Sequence, residues 1–156
     1  MKQSRKPYNE RTDLEKLQSR WWKLSGLQSR EEWSAAVVRA ATAAEIAANI
    51  AIRKEFQQIG SFAPDFADSL LLWANGLAGK LDKLLMPISK GTDRHKKISQ
   101  LKATALKINK IRNAVAHRGE FCNEKEAKDA ISHSKNFVDG VVKLYEQEFK
   151  LKERKS

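Results

Sequence analysis

Residues 35–52 read AAVVRAATAAEIAANIAI and are apolar on nearly every side of the helix that their alanines favour. A helix of that kind cannot present a broad face to water, so other elements must enclose it. This stretch predicts one central helix with partners packed around it. With 156 residues the chain can build one such core and not two. No segment alternates with the period of two expected of a strand, and Pro7, Pro64 and Pro87 all lie outside the periodic stretches. The sequence therefore predicts an all-α fold: an antiparallel up-and-down bundle of four long helices plus a short N-terminal helix. Along the chain this gives a basic tail and short helix over 1–27, a helical bundle over 28–152 and a basic tail over 153–156.

The short first helix is predicted over 12–25, with Thr12 and Glu15 at capping-box spacing and a stripe of Leu14, Leu17, Trp21 and Leu24. The second covers 30–58, with Ser29 and Glu32 as its capping box and Gly60 as its close. Its few polar residues, Arg39, Thr42, Glu45, Asn49 and Arg53, advance by threes and fours and so share one side. The third spans 64–86, opened by Pro64 and ended by Pro87, with Phe66, Leu70, Trp73, Leu77, Leu81 and Leu84 as its buried stripe. Gly76 and Gly79 cost helix propensity there, and close backbone packing is the expected compensation. After the basic loop SKGTDRHKK the fourth helix runs over 96–118. The fifth runs over 124–151, started by Asn123 and Glu126 and buried through Ala127, Ile131, Phe137, Val141, Leu144 and Phe149.

Charge narrows the partners. Thirty Lys and Arg against 19 Asp and Glu leave a net charge of +11, which favours RNA, DNA or an acidic protein. Solubility is the plainer use of the basic tails. One cysteine, Cys122, rules out an internal disulfide and suits a reducing compartment. No uninterrupted apolar run approaches the roughly 18 residues of a membrane span, and MKQSRKPYNE lacks the apolar segment of a signal peptide. The expectation is a soluble cytoplasmic protein with no membrane partner.

The fourth helix carries the chemistry. Its stripe of Ile98, Leu101, Ala105 and Ile108 next reaches Arg112, where the pattern calls for an apolar residue. A buried unpaired guanidinium is prohibitively costly, so Arg112 needs an acidic partner or must line a wet cleft. Asn109, Asn113 and His117 follow at steps of four along one face. His117 lies five residues after Arg112, about 140° round the helix, so the two flank a groove edge. Ala114 and Ala116 leave room for an approaching group, and Gly119 is placed to end the helix. A helix end favours a protonated imidazole, while Arg112 and Arg118 oppose it; either way His117 suits acid–base work near neutrality. Glu45, on the polar line of the second helix, positions Arg112 or His117 in a cleft, pairs with Arg112 across the bundle, or belongs to a solvated stripe with ordinary helix-surface pairs. His95, His133 and Cys122 are scattered without zinc spacing, and neither a metal nor another cofactor is expected.

The string RNAVAH, residues 112–117, resembles the R-x(4–6)-H signature of HEPN domains, with Asn113 at the position after the arginine. The similarity covers about 28–151 and leaves the first helix outside. Many members of that family are metal-independent endoribonucleases in toxin–antitoxin or phage-defence systems. The resemblance implies a homodimer whose two motifs meet at one composite site. It implies that Arg112 contacts the scissile phosphate, Asn113 helps to orient it and His117 transfers protons. Glu45 and Asn109 then support the site, and Lys110 and Arg118 add charge for RNA. In HEPN toxins paired with small nucleotidyltransferases a tyrosine often stands two residues after the histidine; here that position is Gly119, which argues against that subfamily and leaves any antitoxin partner unidentified. Other HEPN domains bind or assemble without catalysis, so a non-catalytic RNA- or nucleotide-binding module stays open, as does an unrelated bundle in which Arg112 pairs with Glu45.

Of the four tryptophans, Trp33 and Trp73 fall on core stripes, and only one of the adjacent Trp21 and Trp22 can face inward. His133 lies off the stripe of its helix and is expected at the surface.

Overall fold

The computed structural model describes residues 12–60, 64–74, 76–118 and 122–153. Every regular element among them is helical. They are α1 (Asp13–Ser29), α2 (Trp33–Ile59), α3 (Pro64–Trp73), α4 (Gly76–Lys80), a π-helical turn (Leu81–Leu85), α5 (Met86–Ser89), α6 (His95–Arg118) and α7 (Glu124–Val142).

The alanine-rich α2 is the centre. It packs against α1, α6, α7 and the 76–89 segment. Ala36, Ala40, Ala43, Ala44, Ala47, Ala48 and Ala51 have no exposed surface. Their small side chains allow neighbouring helices close, and the buried Ser134 of α7 donates to the Ala40 carbonyl at 2.6 Å. Between α6 and α7 the close approach falls at Gly140, where an added Cβ would meet Leu101 at 3.0 Å. By length and composition α2 does reach the range of a membrane-crossing helix, because only four polar residues interrupt its apolar stretch 35–52. Of its most apolar window, 61% is buried within the fold, as in a core helix.

The capping expectations divide. Asn123 and Glu126 form a full capping box at α7, and Thr12 accepts from the Glu15 amide at α1. Ser29 and Glu32 do not cap α2. Instead α1 runs on to Ser29, whose hydroxyl donates back to the Gly26 carbonyl. Glu31 then turns the chain with φ 56, a left-handed value that costs a non-glycine residue roughly 1 kcal/mol.

Residues 64–86 are not one helix. The chain breaks after Trp73, and Gly76 takes φ 75. That break resets the helical phase, so the predicted stripe does not continue through it. Leu77, Leu81 and Leu84 are buried, while Phe66 and Trp73 are exposed, Trp73 at 61%. Gly76 is needed for its backbone angle rather than for close packing, since a Cβ there would meet nothing within 4 Å. At Gly79 an added Cβ would make only ordinary contact. Pro87 does not end the segment either. Its ring conflicts with the carbonyl four residues back, and the widened turn before it, closed by the Met86 amide on the Leu81 carbonyl, makes room for it.

The last helix stops at Val142 rather than 151. The chain turns so that Tyr145 reaches Glu55 and Leu151 enters the core. The Leu151 amide donates to Asp139 at 2.9 Å, Gln18 of α1 bonds the Lys152 backbone twice, and Trp21 donates to Glu153. Trp21 is thereby the inward member of its pair and Trp22 the exposed one.

Glu55 continues the buried stripe Ala44–Ala48–Ile52 and is itself 1% exposed. Arg94, from the loop before α6, grips both its oxygens at 2.6 and 3.2 Å, and the Tyr145 hydroxyl donates at 2.6 Å. Burial alone pushes the Glu55 carboxyl up, but these hydrogen bonds and the Arg94 charge outweigh it and hold the group below its usual 4.5. Burial, together with the bond to Glu55, pushes the Tyr145 phenol well above its ordinary range. The SKGTDRHKK loop is thus anchored to the core through Arg94.

Replacing Arg94 by Ala strands a buried carboxylate and is expected to cost about 3 kcal/mol in urea denaturation at neutral pH. A carboxyl held below 4.5 in the folded state contributes its full stabilisation above that value and loses it as pH falls through the lower folded value. The deficit of Arg94→Ala should therefore narrow in acid. A deficit unchanged between neutral pH and about pH 3 would show that the ion pair is not its source.

Candidate functional site

The second half of α6 is held in place from one side. Ile111 and Val115 pack, with Trp33, against a small cluster of Val37, Cys122, Ala127 and Ala130. Ser34 ties that cluster together, accepting from the Cys122 amide at 3.1 Å and donating to its sulfur at 3.8 Å. Ile98, Ala105 and Ile108 are fully buried as the stripe predicts, and Leu101 nearly so. Arg112, the interruption of that stripe, is half-buried at the edge of the core.

Beside it lies a cavity of about 470 Å³. Its walls are Glu45 from α2, Gly76, Ala78 and Gly79 from α4, and Asn109, Arg112 and Asn113 from α6. The three helices thus bring together four of the residues singled out in the sequence. Arg112 Nη1 donates to Asn113 Oδ1 at 3.4 Å, a long bond between consecutive residues. Neither Arg112 nor Glu45 joins an ion pair among the described residues. Of the two ways to accommodate Arg112, the chain uses the wet cleft and not the ion pair with Glu45.

Lys110 is exposed and does not line the cavity. The backbone of α6 continues through His117 and Arg118. Their side chains, and Gly119 with them, lie outside the described residues. His133 is half-buried, and His95 Nδ1 lies 3.0 Å from the buried Ser89 hydroxyl. Among the described residues, no three His, Cys, Asp or Glu side chains converge to hold a metal ion.

The polar line of α2 does not serve a single cleft. Thr42, Asn49 and Arg53 face a second, smaller cavity of about 180 Å³ with Asp13, Lys16 and Arg20 of α1, and only Glu45 reaches the larger one. Arg53 is engaged by Asp68 at 2.6 Å. Sequence reasoning missed the α4 wall, because it treated 64–86 as one helix. It also missed the Trp73–Lys83 pair, in which the Lys83 ammonium sits 4.8 Å from the ring centre of the exposed indole. The glycine pair at 76 and 79 was the available signal for the break.

With no ion pair among the described residues to lose, Arg112→Ala should keep the wild-type circular-dichroism spectrum and lose less than about 1 kcal/mol of stability in urea. Unfolding of that variant would assign Arg112 a structural role instead. Comparison of the chain with protein-family models, with curated proteins and with solved structures found no match.

Proposed function

We propose that this chain is a HEPN-type, metal-independent endoribonuclease that works as a homodimer in a toxin–antitoxin or phage-defence role. The observation that supports it best is the cavity where Glu45, Asn109, Arg112 and Asn113 meet without neutralising one another. A guanidinium with no carboxylate partner among the described residues is available to a phosphate, which it binds through paired charge-assisted hydrogen bonds. The net charge of +11 supports a polyanionic substrate. In this reading α2, the 64–89 segment, α6 and α7 form the antiparallel bundle of the family, and the protein works in the cytoplasm, away from membranes.

The reaction is attack of a ribose 2′-oxygen on the adjacent phosphorus with departure of the 5′-oxygen. One group must take the 2′-OH proton while another delivers a proton to the leaving oxygen. His117 is the one motif histidine per chain, so a two-fold interface that pairs the α6 ends supplies the second copy. Arg112 stabilises charge on the phosphorane-like transition state, and Asn113 orients the phosphate. Lys110 and Arg118 contact flanking phosphates. An antitoxin or operon partner would regulate access. A second reading, a non-catalytic module that holds RNA or a nucleotide, draws on the same cavity.

The test uses wild-type and His117→Ala protein with a mixed RNA pool in EDTA. Wild type should leave 2′,3′-cyclic phosphate and 5′-OH ends, and the variant should be slower by about 100-fold or more. Undiminished cutting by the variant would remove the assignment. Binding by a folded dimeric wild type without any cutting would favour the second reading.

A further inference from the structure

We infer that the cavity selects a guanine nucleotide, with Glu45 reading the base and Arg112 the phosphate. The inference rests on reading this cavity as an RNA site and names what that site recognises. Its starting point is the mixed charge of the wall. A carboxylate from α2 and a guanidinium from α6 share a cavity of about 470 Å³, and neither has an ion-pair partner among the described residues. A phosphate satisfies Arg112 and is repelled by Glu45. Whatever part of an RNA faces Glu45 must therefore donate hydrogen bonds, since an ionised carboxylate only accepts.

Among the four RNA bases only guanine sets two N–H donors side by side, at N1 and at the N2 amino group. Two carboxylate oxygens match that pair. Adenine and cytosine place a ring acceptor beside their amino group, and uracil flanks its N–H with carbonyl oxygens. Each of these turns a lone pair toward the carboxylate, which is unfavourable at contact distance. Asn109 and Asn113 each carry a donor and an acceptor, enough to meet the O6 and N7 acceptors of a purine or a ribose hydroxyl. The third wall, Gly76, Ala78 and Gly79, carries no side chain beyond Cβ, so a flat ring has room. A Cβ at Gly76 would itself meet nothing within 4 Å.

Titration calorimetry of the full chain with GMP, IMP, AMP and dGMP tests this. IMP keeps N1–H and lacks only the N2 amino group. GMP should bind at least roughly tenfold more tightly than IMP or AMP, with dGMP close to GMP. Glu45→Gln, neutral and of the same shape, should bring GMP to the level of IMP while the circular-dichroism spectrum stays unchanged. Equal binding of GMP, IMP and AMP, no binding at all, or a guanine preference surviving in Glu45→Gln would overturn the inference. A preference for ribose over deoxyribose without base preference would also overturn it and assign Glu45 to the 2′-hydroxyl. Titration requires no cleavage, so the two readings fail separately. Guanine selectivity in a protein that cuts no RNA would sink only the ribonuclease reading, and RNA cutting without guanine preference would sink only this one.

Discussion

Enclosing α2 is the constraint on which the rest of the structure depends. Its seven fully buried alanines supply helix propensity and almost no bulk, so α1, α6 and α7 approach its backbone closely. The hydroxyl of Ser134 on the Ala40 carbonyl is a direct consequence: a short side chain reaches a main-chain atom because no large one intervenes. Alanine burial yields less per residue than leucine burial. The larger apolar payload comes from the partners, with Leu17, Leu24, Ile98, Phe137 and Leu151 filling the spaces that the alanines leave.

Glu55 and Arg112 each interrupt an apolar stripe of this core, and the fold resolves them in opposite ways. Glu55 is sealed in, and Arg94 and Tyr145 close on it from two distant parts of the chain. That network staples the loop before α6 and the segment after α7 to the end of α2. Arg112 sits at the rim, beside a cavity that also holds Glu45. A charge with saturated hydrogen bonds holds elements together; a charge facing open volume is available to a ligand. The same sequence signal, an ion where the stripe asks for an apolar side chain, thus marks a structural staple in one place and a candidate site in the other.

The broken 64–89 segment links fold to site. The left-handed Gly76 separates α3 from α4, and the small residues of α4 become a wall of the cavity. The break also releases Trp73 to the surface, where Lys83 covers one face of its ring. The ion pair of Lys102 with Asp82 then holds the π-helical turn beside α6.

Much of this was legible in one dimension because helical periodicity is local. The all-α class, the extent of α2 and α6, the α7 capping box and the inward choice of Trp21 over Trp22 follow from spacing alone. So does the grouping of Asn109, Arg112 and Asn113, which one helix carries in little more than a turn. Whether Arg112 would meet Glu45 as an ion pair or across open space was not decidable from spacing, because the separation of two helices depends on every side chain packed between them. The staple on Glu55 joins residues 39 and 90 positions apart, beyond the reach of any local pattern. The phase reset at Gly76 and the early end of α7 have the same origin. In each, a local preference for helix yields to contacts made elsewhere in the chain, and only the assembled core determines which wins.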